Sequence, residues 1–237
     1  EAIGRVAAGA VAVKLLGQMG IELYAYASAI GGIAMDRDSF NLEERDNNPF
    51  AMPDAGAALK IKKYADRKLE ECNSMGGIIE CVVKNMPAGI GEPVSDKLDA
   101  NLAKAIMSIG AVKGVEIGDG FAAADSTGLE NNDAFRMKDG HIVKQTNHAG
   151  GILGGMSDGS DIILRAAVKP TPSIAATQHT VNKAGEEIDI SIHGRHDPMI
   201  VPRAVVVVEA MTAITLVDML FMGMTSRLDR IADFYKR

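Results

Sequence analysis

Small and apolar residues fill positions 2–18, and Gly17 and Gly20 close the run, which predicts a helix. Residues 21–33 follow as a β-rich apolar stretch and predict a strand. The polar segment 36–53 ends in Asn48-Pro49-Phe50 and Met52-Pro53, so it predicts a surface loop. Asp54 is a good N-cap for an amphipathic helix to about Asn73, with Lys62, Lys63, Arg67 and Lys68 on its wet side. Residues 78–84 predict a strand, 87–93 a turn, 96–109 a helix and 111–117 another strand.

Asp139-Gly140 sits between two short runs and predicts a hairpin over 135–145. A glycine-rich stretch covers 147–160, and a strand over 162–168 stops at Lys169-Pro170. Residues 187–192 predict one more strand, 202–222 a long apolar helix, and 226 onward a short one. Glu209 and Asp218 interrupt the long helix, leaving charge-free runs short of the roughly 18 residues a membrane span needs, so a core helix is expected. Strands and helices interleave without a strict βαβ order, which points to an α+β fold, and 237 residues suffice for one large domain or two small ones.

Composition narrows the function classes. Net charge −6 argues against a nucleic-acid or anionic-membrane partner, which would need a basic face. Cys72 and Cys81 are too few for a disulfide framework and read as reduced, buried thiols of a cytoplasmic protein. The 25 glycines exceed the average of about 7%, which suggests backbone-dominated turns or a ligand held against main chain.

Three local patterns invite assignment and their contexts weaken each. Gly118-Asp119-Gly120 with Ala123 matches a dinucleotide fingerprint, but Asp125 to Gly128 break the helix that motif needs, so a tight turn is expected. Gly155-Met156-Ser157-Asp158-Gly159 has the form of a nucleophile elbow, yet it lacks the preceding strand and following helix; a serine hydrolase rests on it alone. His193 and His196 have a ligand-like spacing, but Gly194 and Pro198 oppose a helix and no third ligand stands nearby, so no metal is assigned. All five histidines fall between 141 and 196, together with Lys169-Pro170-Thr171-Pro172-Ser173 and Arg195-His196-Asp197. A fixed cation, an Arg fork and short hydroxyls suit a phosphorylated anionic ligand.

At these residues the chain resembles the chorismate synthase family. The likeness runs through Ala88-Gly89-Ile90-Gly91-Glu92-Pro93-Val94, Asp96 to Ala100, Ser108 to Gly118, and Asn147-His148-Ala149-Gly150-Gly151. It continues in Gly154-Gly155, Lys169-Pro170-Thr171, Gly194-Arg195-His196-Asp197-Pro198, Pro202-Arg203-Ala204 and Glu209-Ala210-Met211. The resemblance implies a β-α-β sandwich with internal pseudo-symmetry, here incomplete, and a homotetramer. It implies a 1,4-anti elimination that turns 5-enolpyruvylshikimate 3-phosphate into chorismate and phosphate, with reduced FMN as cofactor. NADP and a separate flavin reductase are further expected associations.

Carried over by position, Gly110, Ala111, Gly154, Lys169, Pro170, Thr171, Pro172, Ser173 and Arg195 would contact FMN. Lys169, Thr171 and Ser173 would hold its phosphate. Arg195 would lie between flavin and substrate, and Asp197 would sit near flavin N5, touch substrate and relay a proton. Gly110 stands where the family usually has Asn. The family's Gly-x-Ser-His segment, second catalytic His, substrate-binding arginines and Ser-Ala-Arg flavin contact would all precede Glu1. The chain is therefore expected to correspond to the C-terminal two thirds, and 1–237 alone to be inactive. A truncated flavin-binding or oligomerisation module is the alternative reading.

Overall fold

The computed structural model describes residues 1–192, 194 and 197–236. Helix α1 (Ala2–Gln18) leads into strands β1 (Glu22–Ile30) and β2 (Ile33–Ala34), the short helix α2 (Glu44–Asn47) and helix α3 (Ala55–Glu70). Strand β3 (Gly77–Lys84), helix α4 (Leu98–Met107) and strand β4 (Val112–Ile117) follow. Then come the hairpin strands β5 (Phe135–Lys138) and β6 (His141–Lys144), and the two-residue strands β7 (Ile152–Leu153) and β8 (Met156–Ser157). Strands β9 (Ile162–Val168), β10 (Gln178–Val181) and β11 (Glu187–Ile190) and helices α5 (Val201–Met224) and α6 (Leu228–Tyr235) complete the chain. One five-stranded sheet has the order β2-β1-β3-β9-β4, and three two-stranded ribbons accompany it, which is an α+β fold.

The chain divides into two compact units. The first comprises Glu1–Ala25, Glu80–Ala166 and Val206–Arg237. Its small-residue helix α1 has a packing reason: a Cβ on Gly9 would stand 2.3 Å from the Ala210 Cβ, so glycine lets α1 lie directly against α5. Leu98, Leu102 and Ile106 recur every four residues on α4 and are fully buried, each contributing about 1.5–3 kcal/mol of apolar burial. Val207, Val208, Ala210, Thr212, Ala213, Leu216 and Met219 of α5 are buried here, as expected of a core helix. Helix α5 is nonetheless long and apolar enough, by length and composition, to cross a membrane despite Glu209 and Asp218. Glu209 accepts a hydrogen bond from the Ala25 amide at 3.0 Å.

The second unit comprises Tyr26–Ile79 and Ala167–Val205. Tyr26, Ala27, Ile30, Phe50, Met52, Ile61, Met75, Ile79, Val168 and Val201 are buried within it. Asp54 caps α3 as predicted, its carboxylate accepting from the Ala57 amide at 3.0 Å and the Asp36 amide at 2.9 Å. The Asp36 bond is the largest influence holding that carboxyl below its usual range.

Several expectations need correction. The predicted strand 21–33 breaks at Gly31-Gly32, both at positive φ, and turns back as β2 with Ile30 opposite Ile33. The predicted loop 36–53 contains a 3-10 turn (Arg37–Ser39) and α2. Strand β10 is additional to the predicted elements; it pairs antiparallel with β11 and is only four residues long, too short for a periodic signal. Cys72 is exposed, because the chain leaves α3 there with φ +52, whereas Cys81 is buried as expected.

Candidate functional site

In the second unit β9 ends where Pro170 removes a backbone donor, and the chain enters the loop Lys169-Pro170-Thr171-Pro172-Ser173. Lys169 is exposed, while Thr171 and Ser173 are half-buried. The Thr171 Oγ1 is buried and has no hydrogen-bond partner among the described residues. Such a group costs about 1–3 kcal/mol unless a ligand satisfies it. The segment Ser74-Met75-Gly76 runs alongside. Ser74 Oγ donates to the Thr171 carbonyl at 2.6 Å, and a Cβ on Gly76 would stand 2.4 Å from the Val168 carbonyl and 3.1 Å from Pro170. The Met75 amide donates to the Pro198 carbonyl at 2.8 Å, bringing the residue after Asp197 to the same segment. Asp197 receives both guanidinium nitrogens of Arg203, at 2.6 and 3.2 Å, which fixes the orientation of its carboxylate. Arg195, and with it His193 and His196, lies outside the described residues.

Gly110, Ala111 and Gly154 belong to the first unit. Gly110 and Ala111 form the turn between α4 and β4, closed by the Val112 amide to the Ile109 carbonyl at 3.2 Å. Ala111 has φ +71, a left-handed conformation that is unfavourable for alanine and often found where a ligand is handled. A Cβ at Gly110 would meet nothing within 4 Å. Gly154 lies in the β7–β8 turn beside Gly155, whose carbonyl accepts from the Leu98 amide at 2.8 Å. It thus adjoins the start of α4 whereas Gly110 follows its end, and ten helical residues separate the two by about 15 Å.

A polar network supports the glycine-rich stretch. Asp133 accepts from the His148 amide (2.7 Å), the Ala149 amide (3.0 Å) and the Thr146 hydroxyl (2.8 Å), with Lys144 Nζ at 3.5 Å. Burial would raise the Asp133 carboxyl, but these donors outweigh it and hold it at about 2. Lys144 also binds Asp158 at 2.5 Å. His148 pairs with Asp119 at 2.6 Å, and in the second unit His179 pairs with Asp189. Arg165 donates to the Gly118 carbonyl at 2.7 Å; its Nε stands 3.1 Å from Glu116, a charge pairing without hydrogen-bond alignment.

Two motifs resolve into structural turns. Ser157 is buried in β8, donating to the Pro87 carbonyl at 2.6 Å and accepting from the Ile90 amide at 2.9 Å, so it is not an exposed nucleophile. Gly118 has φ +58 and a Cβ there would stand 2.1 Å from the His148 carbonyl; a 3-10 turn (Gly120–Asp125) follows instead of a long helix. Among the described residues no cluster of three metal-ligating side chains occurs. Sequence reasoning assigns no role to Ser74, Asp133 or Arg203; of the three only Arg203 stands in a quoted motif, Pro202-Arg203-Ala204.

A family model described as chorismate synthase matches residues 1–221. The chorismate synthase of Lachnospira eligens is 65% identical over 237 residues, covering all of this chain and 65% of the relative. That of Archaeoglobus fulgidus is 52% identical over 231 residues, covering 96% of this chain and 64% of the relative. A crystal structure of chorismate synthase superimposes with a TM-score of 0.79 at 30% identity, covering 99% of this chain and 68% of that one. The chain therefore spans about 65% of the length of the curated relatives it matches. On fold, motif order and similarity along nearly all of its own residues, the chain belongs to the chorismate synthase family.

Proposed function

We propose that this chain is the part of a chorismate synthase that grips the phosphate of reduced FMN and handles the proton lost from the substrate. The observation that carries this reading is the buried, unbonded Thr171 hydroxyl in the very loop expected to hold that phosphate. It is a donor without an acceptor, placed two residues from the exposed Lys169 ammonium and from the Ser173 hydroxyl. That set fits a phosphate, which takes a point charge and short donors together. In the first unit, the left-handed Ala111 belongs to a turn that the resemblance assigns to flavin contact.

Reduced FMN, when bound, supplies transient electron density that no side chain can. The chain's own residues supply position and proton transfer. Lys169, Thr171 and Ser173 hold the cofactor, with Pro170 and Pro172 limiting the backbone freedom of the loop between them. Asp197, oriented by Arg203, is the relay for the proton that leaves as the substrate, 5-enolpyruvylshikimate 3-phosphate, expels phosphate to give chorismate. Arg195, Gly154 and Gly110 complete the proposed contacts. A cytoplasmic homotetramer organised as a single domain, with NADP or a separate reductase renewing the flavin, belongs to the same proposal.

The test compares FMN with riboflavin on the intact protein by fluorescence titration. Thr171→Val and Lys169→Ala should each weaken FMN about 10- to 100-fold, the range of a hydrogen bond to a charged group, while riboflavin binding barely changes. Unchanged FMN binding would remove the phosphate grip. Asp197→Asn should slow the chemical step at least about 100-fold while FMN affinity stays within about threefold. Equal losses in both would count against the proton relay.

A further inference from the structure

We infer that Ser74 is a positioning residue for the phosphate grip, acting through Thr171. The inference rests on the reading that loop residues 169–173 hold the FMN phosphate. Thr171 stands between two prolines, neither of which has an N–H to tie the loop to a neighbouring strand. What fixes the Thr171 peptide is the side chain of Ser74, whose Oγ donates to its carbonyl at 2.6 Å.

Ser74 is itself anchored. Its amide donates to Asn73 Oδ1 at 2.8 Å. The next amide, of Met75, donates to the Pro198 carbonyl at 2.8 Å, and the Gly76 carbonyl accepts from the Gly31 amide at 2.9 Å. Gly76 lies so close to Val168 and Pro170 that any side chain there would displace the loop's entrance. The strap 74–76 is thus a rigid rail, and Ser74 is the point where it fastens to the residue whose hydroxyl is left unsatisfied.

Holding Thr171 Oγ1 buried and unbonded costs free energy in the absence of ligand, and a loop free to turn would expose that hydroxyl to water instead. The Ser74 bond keeps the costly arrangement in place, so the ordering of the loop precedes ligand arrival. A serine here serves affinity for the phosphate end of the cofactor and not for its ring.

The experiment measures FMN and riboflavin affinities side by side in Ser74→Ala, Ser74→Thr, Thr171→Val and the Ser74→Ala/Thr171→Val double variant of the intact protein. In Ser74→Ala the preference for FMN over riboflavin should fall about 5- to 30-fold, and Ser74→Thr, which keeps the hydroxyl, should retain it. The double variant should lose no more preference than Thr171→Val alone, since both act on one contact. Should Ser74→Ala fold poorly, Ser74→Cys, a weaker donor of similar size, reads the same ratio. A preference that drops in Thr171→Val but not in Ser74→Ala overturns the role of Ser74 and leaves the grip standing. Equal weakening of FMN and riboflavin in Ser74→Ala reduces Ser74 to a structural residue and also overturns it. A preference unmoved in Thr171→Val removes the grip reading itself.

Discussion

Replacing Asp133 by Asn isolates what one buried carboxylate does for the glycine-rich stretch. The side chain is 8% exposed and serves two consecutive amides, His148 and Ala149, plus the Thr146 hydroxyl. Its carboxyl is held at about 2 against an ordinary 3.8. At about 1.4 kcal/mol for each pH unit, that gap makes the anion worth about 2.5 kcal/mol to the folded state at neutral pH. Because the folded value is depressed, the whole contribution is present above pH 3.8. As pH falls, the unfolded chain takes up its proton first, so about half the contribution is left at pH 3 and little at pH 2. Asn offers one neutral oxygen in place of two charged ones. Amide exchange at His148 and Ala149, followed by mass spectrometry at pH 7, should accelerate roughly 60-fold in Asp133→Asn, the factor that 2.5 kcal/mol implies. Urea titrations should show a stability gap to wild type that shrinks by about half between pH 7 and pH 3. A gap of equal size at both pH values, or unchanged amide exchange, would refute the argument that the charge organises this turn.

Ser157→Ala should cost about 1–3 kcal/mol in thermal unfolding, because it leaves the Ile90 amide and the Pro87 carbonyl without their partner. It should leave no esterase-like activity to lose. Gly110→Asn should change stability by less than about 0.5 kcal/mol, since its Cβ enters open space, whereas Gly118→Ala should cost upwards of ~2 kcal/mol from a left-handed φ and a backbone clash; melting curves of the two separate these outcomes. Burial pushes the Cys81 thiol up to about 12, so at pH 8 a disulfide reagent should titrate Cys72 quickly and Cys81 only after unfolding. Two fast thiols in the native protein would contradict that packing.

The elements that were legible in the sequence are those whose signal is local. The Asp54 cap, the Asp139-Gly140 turn and the helix expected over 96–109, found as Leu98–Met107, each depend on neighbours in sequence. The Gly31-Gly32 turn was read through because the apolar run continues on both sides of it, and hydrophobicity alone does not register a change of direction. Strand β10 is Gln-His-Thr-Val, four residues too short to show an apolar alternation even though Thr180 and Val181 favour a strand, so its pairing with β11 defines it. At the candidate site the contrast is sharper. Lys169, Thr171 and Asp197 carry a motif and could be named. Ser74 lies 97 positions from Thr171, and Asp133 serves backbone amides with no side-chain identity of their own. Contacts of that kind leave no periodic or compositional trace and follow only from the fold.

The pattern common to these missed residues has a physical reason. A segment that must meet a polar ligand is poorly fixed by burying apolar surface, because its working groups are polar. It must be fixed through its backbone by polar side chains from elsewhere. Asp133 does this with charge, where burial of itself and of Lys144 protects the interaction from salt. Ser74 does it with a neutral hydroxyl on a carbonyl, in the loop proposed to take a phosphate; an acidic residue there would repel that ligand. Arg203 does it on Asp197 from a side chain 72% exposed, so this third support is the weakest and the most easily exchanged for another partner. The order of strength suits the proposed roles: the turn that only has to hold its shape is tied most firmly, and the carboxylate that has to give and take a proton is tied least.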